Sequence, residues 1–183
     1  MKYVYYYICI FLVFLCSATC RAQDTALLMV HFGTTYDETR AKTIDAINEK
    51  AEKVCEVLVN RHSADAKKRE HVLFIGHGTE GPATALYSQL DYMLRANGHS
   101  NYHVATIEGY PTRETALAQI KAMKGKQVTL VPLLFVAGDH ANNDISVEWK
   151  EALEKEGLTV IVRLEGLGEV PEIQDLYIKK IKN

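Results

Sequence analysis

The chain has 183 residues, 48% of them hydrophobic and 24% charged, with a formal net charge of −2. These figures describe a globular protein with a single core of α/β size and exclude a low-complexity or fibrous chain. No excess of basic residues is present, which argues against a nucleic-acid partner bound through a basic face.

The first residues stand apart. MKYVYYYICIFLVFLCSATCRAQ carries Lys2, then 18 uncharged residues, then Arg21 and the small Ala22. A positive start, an apolar middle and small residues before a cut predict a secretory signal peptide over residues 1–22. Two alternatives stay open. SATC is a weak lipobox, lacking a Leu three positions ahead of Cys20, and would give a lipid anchor at Cys20. An uncleaved anchor is the other, although 18 residues fall short of the ~20 that cross a bilayer. Either way the working domain is residues 23–183, exported and expected in the periplasm. Of the four cysteines, Cys9, Cys16 and Cys20 lie in the leader, which leaves Cys55 without an intramolecular partner. Cys55 shares helical spacing with Val54 and Leu58 and reads as a core residue. Removing Lys2 and Arg21 from the 21 basic residues leaves 19 against 23 acidic ones, a net charge of −4.

Beyond the leader, strands and helices alternate. Short apolar runs ending in glycine or proline predict strands over 26–32, 71–78, 102–111 and 127–138, and a fifth strand and turn over 158–168. Helical spacing predicts helices over 37–62, 82–97, 112–123, 143–156 and 170–182, with Leu117 and Ile120 turned inward from the third. Near-continuous apolar strands alternating with helices specify an α/β fold, a parallel sheet of about five strands with helices on both faces. Within it, 131–136 reads as a buried apolar rail. LLMVHFGTTYDET and VLFIGHGTEGPAT echo one another, as two strand-turn units of a duplicated half-domain would.

In parallel sheets ligands bind where loops converge at the carboxyl ends of the strands. The expected ends carry His31-Phe32-Gly33, Gly76-His77-Gly78, Glu108-Gly109, Gly138-Asp139-His140 and Glu165-Gly166. His77, Glu108 and His140 on one edge suit a divalent transition metal, since imidazole and carboxylate are borderline-to-hard donors. Each has a plainer reading. A strand-end histidine can be a hydrogen-bonded structural group, as His31 can. Glu108 or Thr112 can cap the next helix, and Asp139, Asn142 and Asn143 suit a turn. His62, His71, His99 and His103 fall in polar stretches or at strand starts and are expected in solvent. No G-x-G-x-x-G, G-x-x-x-x-G-K-[ST] or G-x-S-x-G occurs, which disfavours dinucleotide, ATP and serine-hydrolase chemistry.

LLMVHFGTTYDET, VLFIGHGT, IEGYP, VPLLFVAGDHANNDI and GLGEVPEI, in this order, resemble the anaerobic, class II sirohydrochlorin cobalt chelatases of cobalamin biosynthesis. The resemblance implies two similar α/β halves with a cleft between them, and Co²⁺ (or Fe²⁺ or Ni²⁺) inserted into sirohydrochlorin or a related tetrapyrrole. It makes His77 and His140 the paired cleft histidines and Glu108 the carboxylate that joins them on the metal. His140 is then the principal base, with His77 as ligand and secondary base. An imidazole of pKa near ~6.5 can take up a pyrrole proton and release it to water. Arg113 is a candidate for substrate carboxylates. The chain departs from the family in its first half, where only residues 34–70 separate the first strand from His71. It also departs after HANND, where the junction ISVEW is short. A homodimer would restore the missing cleft wall. A non-catalytic periplasmic metal or tetrapyrrole carrier is the alternative reading.

Overall fold

The computed structural model describes residues 46–139 and 141–181. The expected leader with Cys20, the strand over 26–32, His31 and the catalytic candidate His140 lie outside these residues. No helix among the described residues is long and apolar enough to cross a membrane.

The elements alternate as expected: α1 (Ala46–Arg61), β1 (Glu70–Gly78), a 3₁₀ turn (Pro82–Thr84) running into α2 (Ala85–Ala96), β2 (Tyr102–Glu108), α3 (Arg113–Ala122) and β3 (Gln127–Pro132). A π-helix (Ala141–Trp149) continues into α4 (Lys150–Lys155), and β4 (Thr159–Val162), a 3₁₀ turn (Leu167–Glu169) and α5 (Pro171–Ile181) close the chain. Among the described residues the sheet is four-stranded and wholly parallel, in the order β2-β1-β3-β4. β1 is thus paired on both edges, and Val72–Gly76 are buried throughout.

Alternation along the strands builds two cores. Leu73 and Ile75 of β1 pack with Val128 and Leu130 of β3 against Ala116 and Ile120 of α3 and Ile145, Trp149 and Leu153. Val72 and Phe74 face the other way, against Cys55 and Leu58 of α1 and Leu94 of α2. Helices therefore cover both faces, the arrangement that near-continuous apolar strands require. Cys55 is a core residue, and burial pushes its thiol up to about 11. Thr112 caps α3 by accepting from the Thr115 N–H at 3.3 Å.

Three expectations fail. The fourth expected strand stops at Pro132 instead of running to 138. Its pairing with β1 ends at Ile75↔Pro132 and with β4 at Leu130↔Val162, so nothing beyond offers a ladder. The rail over 131–136 is therefore buried only at its start, and Phe135 and Val136 are 53% and 72% exposed. The helix expected over 143–156 begins at Ala141 and is π-helical for nine residues. His62, His71 and His103 are buried, not solvated.

The last point reveals a polar thread through the core. His71 Nδ1 lies 2.9 Å from His103 Nε2, and His103 Nδ1 lies 2.9 Å from Gln119 Oε1. Gln119 Nε2 donates to Asp91 Oδ2, which also meets Arg95 at 2.7 Å, while Asp91 Oδ1 accepts the Val104 N–H of edge strand β2. Burial holds both imidazoles at about 4; the His103 charge adds to this at His71, whereas Gln119 opposes it at His103. Both are neutral in the fold and would protonate near ~6.5 when unfolded, so the unfolded chain binds more protons between those values. Stability is expected to be complete above about pH 6.5 and to fall as the pH drops toward 4. Urea midpoints across that range check this. A shallower slope is expected when His71 and His103 are both replaced by Gln, and an unchanged slope would contradict the account.

Candidate metal-chelation site

The chain order explains where a ligand can enter. From β1 the chain passes to β2 on one side, then crosses to β3 on the other side of β1. Such a reversal opens a crevice at the carboxyl ends of the two strands that the crossover separates, here β1 and β3. His77 sits at the carboxyl end of β1, and the segment leading to position 140 follows β3.

His77 and Glu108 stand at the carboxyl ends of neighbouring strands. β1 and β2 pair in parallel up to Gly78↔Glu108, so Glu108 is level with Gly78 and, because side chains alternate, leaves the opposite face of the sheet from His77. Gly78 lets the two strands approach closely. Its φ is +82°, and a Cβ there would lie 1.6 Å from the Glu108 carbonyl oxygen. His77 is half-buried, with Nδ1 3.2 Å from the Gly78 carbonyl oxygen. A carbonyl only accepts, so Nδ1 carries the proton and the lone pair of the neutral ring lies on Nε2. That tautomer is the one a metal ligand needs, with its other nitrogen steadied by backbone. Glu108 is exposed, as suits a carboxylate that receives an ion from solvent.

The loop after Glu108 is pinned from two sides. Thr84 Oγ1 donates to Tyr110 O at 3.1 Å and accepts the Tyr110 N–H at 3.3 Å. Pro111, which follows a cis peptide bond, offers its carbonyl to the Thr106 N–H and hydroxyl at 2.8 and 3.0 Å. These positioning residues escaped the sequence reading, because Thr84 and Tyr110 are 26 residues apart and only the β1–β2 pairing brings them together. Thr112, read as one of two helix caps, fills that role, which leaves Glu108 outside the capping scheme.

His140 is outside the described residues, but its neighbours are fixed. Leu133 N–H donates to Ile75 O at 2.7 Å, and Leu134 O and Phe135 O accept from Leu167 and Gly168. Asn142 donates through both backbone and side chain to Gly138 O, the turn role read for it, and Ala141 is wholly buried. Asp139 is exposed. Arg113 starts α3, where its guanidinium lies 5.8 Å from the Trp149 ring centroid. No group of three metal-ligating side chains forms among the described residues. The structure sets His77 and Glu108 at the ends of neighbouring strands, facing opposite sides of the sheet, and the third candidate is the undescribed His140.

A Gly78→Ala variant is expected to lose on the order of 3 kcal/mol of stability, combining a left-handed backbone with a clash against Glu108. Denaturant unfolding measures this, and an unchanged midpoint would contradict the geometry.

The parallel α/β fold agrees with the family that the sequence motifs resemble. The family described as cobalt chelatase (CbiK) matches residues 49–183, and this chain belongs to it. Over 116 residues the chain is 34% identical to the sirohydrochlorin cobaltochelatase of Salmonella typhimurium, a match covering 61% of this chain and 44% of that protein. Over 119 residues it is 34% identical to sirohydrochlorin cobaltochelatase CbiKC of Nitratidesulfovibrio vulgaris, covering 63% and 42%. The match thus spans less than half the length of either relative. Among solved structures, the sirohydrochlorin chelatase SirB from Bacillus subtilis subspecies spizizenii, in complex with cobalt, is 20% identical with a TM-score of 0.45, covering 53% of this chain and 43% of that one.

Proposed function

We propose that this chain is a sirohydrochlorin cobaltochelatase, inserting Co²⁺ into a tetrapyrrole for cobalamin biosynthesis. The observation that supports this reading is the family match over residues 49–183, with His77 and Glu108 at the carboxyl ends of the adjacent strands β1 and β2. The metal is a substrate in transit. Imidazole and carboxylate together bind a borderline divalent ion firmly enough to collect it and loosely enough to yield it to four ring nitrogens. Fe²⁺ and Ni²⁺ suit the same donors.

Insertion replaces two pyrrole N–H bonds with bonds to the metal and releases two protons. His140, in the loop after β3, takes the role of principal base. His77 takes up the second proton once its Nε2 has given up the ion. Arg113, at the start of α3 and braced on Trp149, is placed to meet a macrocycle carboxylate. In this reading a second copy of the chain supplies one cleft wall. The leader expected over 1–22 supports a site of action outside the cytoplasm, for the enzyme or for a carrier derived from it.

The test is cobalt insertion into sirohydrochlorin, followed by absorbance and corrected for the spontaneous rate. His140→Ala and His77→Ala are each expected to slow insertion by on the order of 10²- to 10⁴-fold. Glu108→Gln is expected to act mainly by raising the KM for cobalt. No acceleration by the wild type, with cobalt or macrocycle still bound, would replace the enzyme with a carrier.

A further inference from the structure

A cleft of about 390 Å³ opens at the amino end of the sheet, opposite His77 and Glu108. Lys68 and Arg69 border it ahead of β1, Asn101 ahead of β2, and Met123 and Lys124 ahead of β3, with His71 of β1 contributing to the lining. Three of these six side chains are cationic. None of the three has a carboxylate partner among the described residues. Uncompensated positive charge on the rim of a concavity favours an anion.

The backbone supports a built feature. Arg69 and Lys124 are the two non-glycine residues at positive φ among the described residues, at 73° and 56°. Arg69 Nε donates to Lys124 O at 3.1 Å, which ties the two together across the cleft. L-residues avoid this conformation, and where it persists it often serves a site.

His71 then specifies what kind of anion fits. The polar thread has a fixed direction, because the Asp91 carboxylate can only accept from Gln119 Nε2. Gln119 Oε1 therefore accepts from His103 Nδ1, and the neutral His103 ring presents a lone pair at Nε2. His71 Nδ1 must donate to that lone pair, so His71 Nε2 is itself a bare acceptor. It is buried and has no hydrogen-bond partner among the described residues. Gly125 packs so closely on it that a Cβ there would come within 2.9 Å of Nε2. A buried acceptor without a donor is unfavourable, and a ligand that brings one is stabilised.

We propose that this cleft binds a small oxyanion that keeps a proton, of the hydrogen-phosphate class. Lys68, Arg69 and Lys124 take its charge, and its O–H is directed to His71 Nε2. A fully deprotonated oxyanion of the same shape would set lone pair against lone pair there. The site lies at the opposite end of the strands from the chelation edge and stands or falls independently of it.

The test is titration calorimetry of the whole chain with inorganic phosphate and with sulfate, without metal or tetrapyrrole and at matched ionic strength. Saturable phosphate binding is expected, with sulfate weaker by roughly tenfold or more. Lys124→Gly is expected to weaken phosphate on the order of tenfold, while the melting temperature stays unchanged or rises because glycine adopts positive φ freely. Lys68→Ala is expected to act in the same direction. Absence of saturable phosphate binding, or full affinity in both variants, would overturn the site. Equal binding of sulfate would overturn the role of His71.

Discussion

The parallel pairing of β1 on both its edges is the constraint from which the rest follows. β1 supplies Phe74 and Val72 to one core and Leu73 and Ile75 to the other, so its position sets both layers of helices. The same register carries Gly78 level with Glu108 at one end and Val72 level with Tyr102 near the other. A slip by one residue would exchange the two faces of the strand and take both cores apart together. The same hydrogen bonds therefore set the core packing and the positions of the strand ends.

The two ends of the sheet have different electrostatic characters. At the carboxyl end, His77 and Glu108 are half-buried and exposed, where water can deliver an ion and carry protons away. At the amino end, His71 and His103 are buried, His71 at the floor of the cleft, and desolvation holds them neutral. The same residue type stands half-open at one end, where a metal ion is proposed, and in a fixed hydrogen-bond thread at the other. What separates the roles is access to solvent, together with the Asp91–Gln119 pair that sets the direction of the buried protons.

Much of this was legible in the chain. β1 and β2 announce themselves by apolar runs ending at Gly78 and before Gly109, and the placing of His77 and Glu108 at neighbouring strand ends follows once parallel pairing is assumed. Cys55, on the spacing of Val54 and Leu58, was readable as core, and Thr112 as a cap. Family membership was legible too, because the five quoted motifs survive in order. The remainder depends on tertiary pairing. Nothing in VPLLFVAG marks Pro132 as its last paired residue; the strand ends there because β4 is short and β1 has turned away. His71 and His103 sit among polar neighbours in sequence, and only the β1–β2 pairing and α3 enclose them. The π-helical start at Ala141 likewise reflects the burial of Ala141, Ile145 and Trp149 rather than a local signal.

The central proposal is that His77 and Glu108, at the carboxyl ends of neighbouring strands, serve one and the same metal ion. The most direct measurement is a double-mutant cycle on Co²⁺ affinity, read by competition with a chromophoric chelator, using His77→Ala, Glu108→Ala and the double variant. Ligands of a shared ion are expected to be coupled, with the double variant departing from the sum of the single losses by roughly 1 kcal/mol or more. Strictly additive losses, or cobalt affinity indifferent to both residues, would contradict the account.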